Sequence, residues 1–287
     1  MSDMRPKALV LFSGGLDSML AIRLILGQGV KVEAVHFLTP FCSGDLDLIE
    51  RFCEENGVKL HKVSLGLEYV ELVTSPPHGH GSHMNPCIDC RILELKKAKE
   101  LGERIGADFL ATGEVLDERP FSQRRDLMLL IEREAGLSGR ILRPLSAKLL
   151  PETEPERTRL VAREKLLDIG GRKRHLQMKL AKEMGIKEYQ SPAGGCLLTD
   201  PRFSERLKEH LQHEKGLSLR DIELLKVGRH FRADEAKIIV GRNQEENEEL
   251  MAIAERQGLA HLEVMGHMGP VTVLCGRISP GTVSYTH

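Results

Sequence analysis

The hexapeptide Ser13-Gly14-Gly15-Leu16-Asp17-Ser18 stands between a short apolar run, residues 8–12 (ALVLF), and a segment with apolar residues at helical spacing. A strand that stops at Ser-Gly-Gly and restarts as a helix aims successive backbone N–H groups and a helix N-terminus at one spot, which suits a phosphate chain. Ser13 and Ser18 are expected to donate hydroxyl hydrogen bonds to phosphate oxygens, and Asp17 to hold a Mg²⁺ ion bridging them. A ligand-free strand-to-helix turn is the plain alternative, but it would need only the Gly-Gly pair.

Thiols form the second group. Cys87-Ile88-Asp89-Cys90 follows Asn85-Pro86 at the start of a predicted helix. A helix N-terminus lowers a thiol pKa and favours the thiolate needed for sulfur chemistry or iron ligation. Redox pairs and half zinc sites share the CxxC spacing. Cys196 follows Ser191-Pro192-Ala193-Gly194-Gly195, where two glycines suggest a close backbone approach to something bound. Cys42, Cys53 and Cys275 have no partner spacing, and core packing is their expected role. His78, His80 and His83 precede the CxxC in a glycine-rich stretch. They read either as metal ligands or, preferably, as part of a flexible loop that closes on substrate.

These residues need a scaffold. Residues 8–12, 32–38, 59–65 and 107–112 read as short buried strands, alternating with helices at 17–29, 46–56 and about 87–105. The alternation predicts a parallel sheet covered on both faces, with the α/β pattern ending near residue 112. From residue 201 onward a helix at 204–214 precedes strands at 236–240 and 271–274, with a helix between them opened by a capping box of Asn243 and Glu246. This reads as a small α+β domain, and the expected boundaries are 1–204 and 205–287.

The composition is that of an ordinary globular protein, with 41% hydrophobic and 29% charged residues. A net charge of −1 gives no global pull toward nucleic acid. Locally, residues 119–179 hold 15 Lys or Arg against 8 Asp or Glu. Arg124, Arg125, Arg172, Lys173 and Arg174 are therefore the candidate RNA contacts, a solvated helix face being the bland alternative. No apolar run suits a bilayer or a signal peptide, so no membrane association is expected and the expected compartment is the cytoplasm.

SGGLDS resembles the signature of the PP-loop ATP pyrophosphatase superfamily and lacks the Gly-Lys-Ser/Thr of a Walker A loop. The resemblance implies a doubly wound α/β sheet, cleavage of ATP between its α and β phosphates, and transfer of AMP to a carbonyl oxygen. It also implies that Ser13, Gly14, Gly15, Leu16, Asp17 and Ser18 bind ATP. Ala34, His36 and Phe37, with Thr112 and Gly113, would then line the adenosine pocket by position, although His36 reads equally as a half-buried strand residue.

NPCxxC followed by GGC resembles the tRNA thiouridylases of that superfamily. With Cys at position 87 it is similar to the branch that holds a [4Fe-4S] cluster by three thiolates, here Cys87, Cys90 and Cys196. Zinc held by three Cys and one His is the competing metal reading, and no metal is the third. In the metal-free reading Cys90 and Cys196 carry persulfide and close a disulfide, with Asp17 completing the catalytic set. ATGEVLDERPFSQRRDLM, ILRPLSAKLLPETEPE and SPAGGCLLTDPRFS look like a stand-alone relative of the tRNA 4-thiouridine synthases. RADEAKIIVGRNQEEN (residues 232–247) is similar to the RNA-binding domain of NFACT proteins, which would replace the N-terminal THUMP module usual in the synthases.

The expected function is ATP-dependent tRNA thiolation, with tRNA and a sulfur donor, either sulfide or a persulfide carrier, as partners and a homodimer as an option. A PP-loop enzyme acting on a small molecule, and an RNA-binding protein with a relic ATP site, are the competing functions.

Overall fold

The computed structural model describes residues 5–42, 44–190 and 196–276. The chain forms two compact units, Met1–Leu197 and Leu198–His287.

In the first unit the strands and helices run β1 (Lys7–Leu11), α1 (Leu16–Leu26), β2 (Lys31–Leu38), α2 (Leu46–Glu55), β3 (Lys59–Ser64), α3 (Leu67–Thr74), α4 (Cys87–Ile105), β4 (Phe109–Thr112), α5 (Arg125–Glu134), β5 (Ile141–Leu142), α6 (Glu154–Arg157) and α7 (His175–Glu183). The five strands form one sheet in the order β3-β2-β1-β4-β5, every pair parallel. β1 is the hub, and its continuous apolar sequence follows from helices covering both sheet faces. Ala8, Val10 and Phe12 pack in a core with Ile22, Ile49 and Phe52. Strand order reverses beside β1, between β2 on one side and β4 on the other, and the crevice outside such a switch point is where open α/β sheets take their ligands.

The α/β sheet expected from the sequence is therefore present, with one extension. The pattern does not end at residue 112: β5 adds a fifth parallel strand through Leu110↔Ile141 and Ala111↔Leu142. At two paired residues it is too short for periodicity to reveal.

The second unit contains α8 (Pro201–His213), α9 (Leu219–Lys226), β6 (Arg229–Ala233), β7 (Ala236–Val240), α10 (Gln244–Gln257), β8 (Ala260–Leu262) and β9 (Thr272–Gly276). Its sheet has the order β6-β7-β9-β8 and is antiparallel throughout. α8 begins three residues earlier than expected because Asp200 caps it, its carboxylate accepting from Phe203 N at 2.7 Å, with Pro201 in the first turn. The box expected at α10 is half formed. Asn243 accepts from Glu246 N at 2.9 Å, but the Glu246 carboxylate turns to Arg242 N, also at 2.9 Å. A complete box is at α9, between Ser218 and Asp221.

Candidate functional site

Because the first sheet is parallel, every strand delivers its loop to the same edge. β1 delivers Ser13–Ser18, β2 delivers residues 39–42, β3 leads into α3, and β4 delivers Gly113. Gly14 takes φ +77°, and a Cβ there would lie 2.7 Å from Ile49, so the loop's bend needs glycine. Ser18 Oγ donates to Gly15 O at 2.8 Å and lies 3.4 Å from Ser13 Oγ, which closes the loop into a compact cradle at the α1 N-terminus. Gly113 presses on that cradle. A Cβ on it would stand 2.4 Å from Ser18 N and 2.6 Å from Asp17 C.

Asp17 meets a cation here. Arg174 donates from Nη2 to Asp17 Oδ2 at 3.3 Å, and its Nε lies 3.6 Å from Glu118 Oε1. Burial raises the Asp17 carboxyl above its usual range, against the opposing pull of Arg174 and Arg119. Asp17 Oδ1 is buried with no hydrogen-bond partner among the described residues. A buried carboxylate oxygen left unpaired beside a phosphate-type helix terminus fits a hard cation, so the site suits Mg²⁺ at Asp17. Arg174, placed by sequence among the RNA contacts, instead belongs to this cradle. Arg172 and Lys173 are exposed. Arg124 pairs with Asp126, and Arg125 donates to Leu149 O.

The pocket residues expected by position divide. Thr112 and Gly113 reach the cradle edge, and Thr112 Oγ1 donates to Glu114 at 3.0 Å. His36 is buried, its Nδ1 2.8 Å from Phe12 O, which ties the end of β2 to the end of β1. Phe37 is buried as well, and Ala34 is 0% exposed within the core and presents no surface to a ligand.

Cys87 and Cys90 lie on the first turn of α4, as expected. Cys87 Sγ receives Asn85 Nδ2 at 3.1 Å, and Cys90 Sγ receives Tyr69 Oη at 3.2 Å. The expectation that the helix N-terminus would favour a Cys90 thiolate fails. Burial, and secondly the Glu94 carboxylate at 3.6 Å, push this thiol well above the ordinary range. Cys196 is within electrostatic reach of Cys90 and Tyr69. Its backbone, however, pairs with Cys42 in an antiparallel bridge, and Leu197 N donates to Phe41 O at 2.9 Å. Cys53 and Cys275 are each pushed up to about 11 by burial, in keeping with a packing role. Ser191 to Gly195, read from sequence as a close approach, lie outside the described residues.

Among the described residues no three His, Cys, Asp or Glu side chains converge closely enough to hold a metal ion. As placed, Cys196 pairs with Cys42 rather than closing with Cys87 and Cys90 into a three-thiolate or zinc ligand set among the described residues. The histidine-rich stretch is not a free closing loop either. His78 contacts both oxygens of Asp89 on α4, its Nδ1 at 2.7 Å from Oδ1, and its Nε2 lies 3.2 Å from Glu134. His80 Nε2 is 2.8 Å from Val73 O. The hydrogen bond with Asp89 raises the His78 pKa.

Sequence reasoning missed a buried ion chain beneath the site. Glu114 accepts from Arg143 Nε at 3.0 Å and pairs with Arg91 Nε at 3.1 Å, and Arg143 continues to Glu132. Burial alone would raise the Glu114 carboxyl, but Arg91 and Arg143 overcome it and hold it below its usual value. The signal was adjacency: Arg91 directly follows the CxxC, and Glu114 directly follows Thr112-Gly113. The chain thereby joins the thiol helix α4 to the loop that presses on the phosphate cradle.

Comparison with known proteins adds to this geometry. The model of the family described as thiamine biosynthesis protein (ThiI) matches residues 4–148, half of the chain, and that of the NFACT protein RNA binding domain matches residues 228–286. The tRNA-specific 2-thiouridylase MnmA of Pseudomonas fluorescens SBW25 is 26% identical over 246 residues, covering 80% of this chain and 62% of the relative. MnmA of Shewanella putrefaciens CN-32 is also 26% identical, over 73% of this chain and 58% of the relative. The chain thus spans about three fifths of the length of the curated relatives it matches. A 4-thiouridine synthetase solved with RNA and bound ATP is 22% identical over 77% of this chain and 52% of that one, with a TM-score of 0.45.

Proposed function

Because the chain belongs to the ThiI family, we propose that it is an ATP-dependent tRNA sulfurtransferase of the PP-loop type, installing sulfur in a uridine. The observation that carries this reading is that one sheet edge bears both a phosphate cradle and a set of thiols: Ser13–Ser18 and Gly113 on one side, Cys42, Cys90 and Cys196 on the other. An enzyme that adenylates a carbonyl and then displaces AMP with sulfur needs these two functions side by side, where proximity supplies much of the acceleration.

ATP lies with its phosphates on the N–H groups and hydroxyls of Ser13–Ser18. Asp17 would hold Mg²⁺, which would supply positive charge against the phosphates. Arg174 supplies a further cation beside them, so pyrophosphate leaves a pre-charged cradle. The uridine oxygen attacks the α-phosphorus and pyrophosphate departs. Sulfur then attacks the activated carbon, and AMP leaves with the former carbonyl oxygen. Presenting the base requires it to be out of the stack, which is the role assigned to tRNA docking.

In this reading the first unit, to Leu197, performs adenylation and sulfur transfer, and the second, from Leu198, contributes RNA binding, assisted by Arg124, Arg125, Arg172 and Lys173; the boundary expected at 204/205 would cut through α8. For the sulfur carrier we take a persulfide on Cys196 over a cluster, supported by the antiparallel pairing of Cys196 with Cys42. Protein purified without oxygen is expected to hold substoichiometric iron and acid-labile sulfide; stoichiometric iron and sulfide lost on Cys87→Ala would overturn this choice of carrier.

Purified protein given ATP and bulk tRNA is expected to form AMP and pyrophosphate only when tRNA is present. Turnover supported by a small acceptor without tRNA would favour a ligase, and no turnover with any acceptor would favour a relic ATP site.

A further inference from the structure

The thiol directly across the backbone from Cys196 is Cys42, which the sequence assigns to packing and the structure leaves exposed. The bond from Leu197 N to Phe41 O shows that Cys42 and Cys196 form a non-hydrogen-bonded antiparallel pair. In such pairs the Cα atoms stand roughly 4.5 Å apart, and the two side chains project to the same side. That lies within the Cα separation of about 4.4–6.8 Å spanned by disulfides.

The strand segment of Cys42 is also fastened to the thiol helix. The Phe41 ring packs 6.0 Å from the Tyr69 ring, and Tyr69 Oη donates to Cys90 Sγ at 3.2 Å. Cys90 is half-buried with Tyr69 Oη and Glu94 at its sulfur, whereas Cys42 is open to solvent.

We propose that Cys42 is the resolving thiol of Cys196: its thiolate attacks Sγ of a Cys196 persulfide, expels hydrosulfide into the site, and leaves a Cys42–Cys196 disulfide. This rests on the reading of Cys196 as sulfur carrier. The step balances without an external oxidant. One S–S bond breaks and one forms; the sulfane sulfur leaves reduced as hydrosulfide, while the two cysteine sulfurs are oxidised to the disulfide. Hydrosulfide is then the nucleophile for the adenylated carbon. The resulting disulfide involves an exposed sulfur, so small cellular thiols can reduce it by exchange and reset the pair.

The test uses the full-length chain without ATP or tRNA, so that its result is independent of whether tRNA is the substrate. Reduced protein is treated with inorganic polysulfide, alkylated, digested with trypsin and mapped by mass spectrometry. Loading Cys196 from polysulfide itself expels a shorter polysulfide or hydrosulfide, so reagent and that leaving group are removed by rapid desalting. The expected product is then a disulfide joining the peptide containing Cys42 to the peptide containing Cys196, with hydrosulfide formed after desalting in equal amount. In Cys42→Ser, an exposed change, the Cys196 persulfide is expected to persist and hydrosulfide release to slow by about tenfold or more, the neighbouring nucleophile being lost. A small aromatic disulfide in place of polysulfide is expected to give the same linkage, which reads the pairing even where polysulfide does not load Cys196. Cys42 recovered alkylated, with Cys196 joined to Cys90 or Cys87, overturns the proposal. So does unchanged hydrosulfide release from Cys42→Ser.

Discussion

Asp17 is held in the fold at a cost. Its folded carboxyl pKa is raised by burial, above the ordinary value of 3.8, so the folded state holds its proton more tightly than the unfolded chain does. Stability from this group is therefore greatest below the unfolded value and declines as pH rises from there through the raised folded value. Asp17→Asn is expected to remove that decline and raise the melting temperature at neutral pH, while abolishing AMP formation; paired melts between pH 4 and pH 7 check the sign. Arg174→Ala is expected to weaken ATP binding by calorimetry and leave tRNA affinity nearly unchanged, since the guanidinium faces Asp17 and Glu118. The opposite pattern would return Arg174 to the RNA surface. Gly113→Ala would push a methyl group into the backbone of Asp17 and Ser18. A loss of about 1–3 kcal/mol is the usual scale of such overpacking, and denaturant unfolding measures it.

Elements explain what the sequence revealed and what it hid. SGGLDS was legible because six neighbouring residues define a cradle that lies wholly within one strand-loop-helix unit, and the CxxC because both sulfurs share one helical turn. The Arg91–Glu114–Arg143–Glu132 chain was not, since its members come from α4, the loop after β4, the segment after β5 and α5, which only tertiary packing unites. The Cys42–Cys196 pairing was hidden for the same reason: a single bridge between loops 154 positions apart leaves no periodic trace. The Cys90 thiolate was misjudged because helix position was weighed without burial, and burial dominates. Glu114→Gln is expected to remove the charge shared by Arg143, which keeps Glu132, and Arg91, which keeps Glu94, and to destabilise the first unit by about 1–3 kcal/mol, read by denaturant unfolding. Because the Glu114 carboxyl is depressed, its stabilising contribution is present above pH 4.5 and is lost as pH falls through its lower folded value. Glu114→Gln should accordingly lessen the acid sensitivity of the fold.

At the scale of the whole molecule, the net charge of −1 makes RNA binding a matter of local surface. Arg172 and Lys173 are exposed and adjoin Arg174, which pairs with Asp17, so a tRNA backbone reaching them would pass close to the proposed ATP site. Arg172→Glu with Lys173→Glu is expected to weaken tRNA binding across sequences and flatten its dependence on salt, with ATP affinity retained. Under the proposed function thiolation joins these parts, and its product can be counted directly. The decisive measurement is nucleoside mass spectrometry of bulk tRNA from a strain lacking the gene, with and without the restored full-length chain. The account predicts that one thiouridine species disappears and returns on restoration, but not on restoration with Asp17→Asn. A thiouridine profile unchanged by the loss of the gene would contradict it.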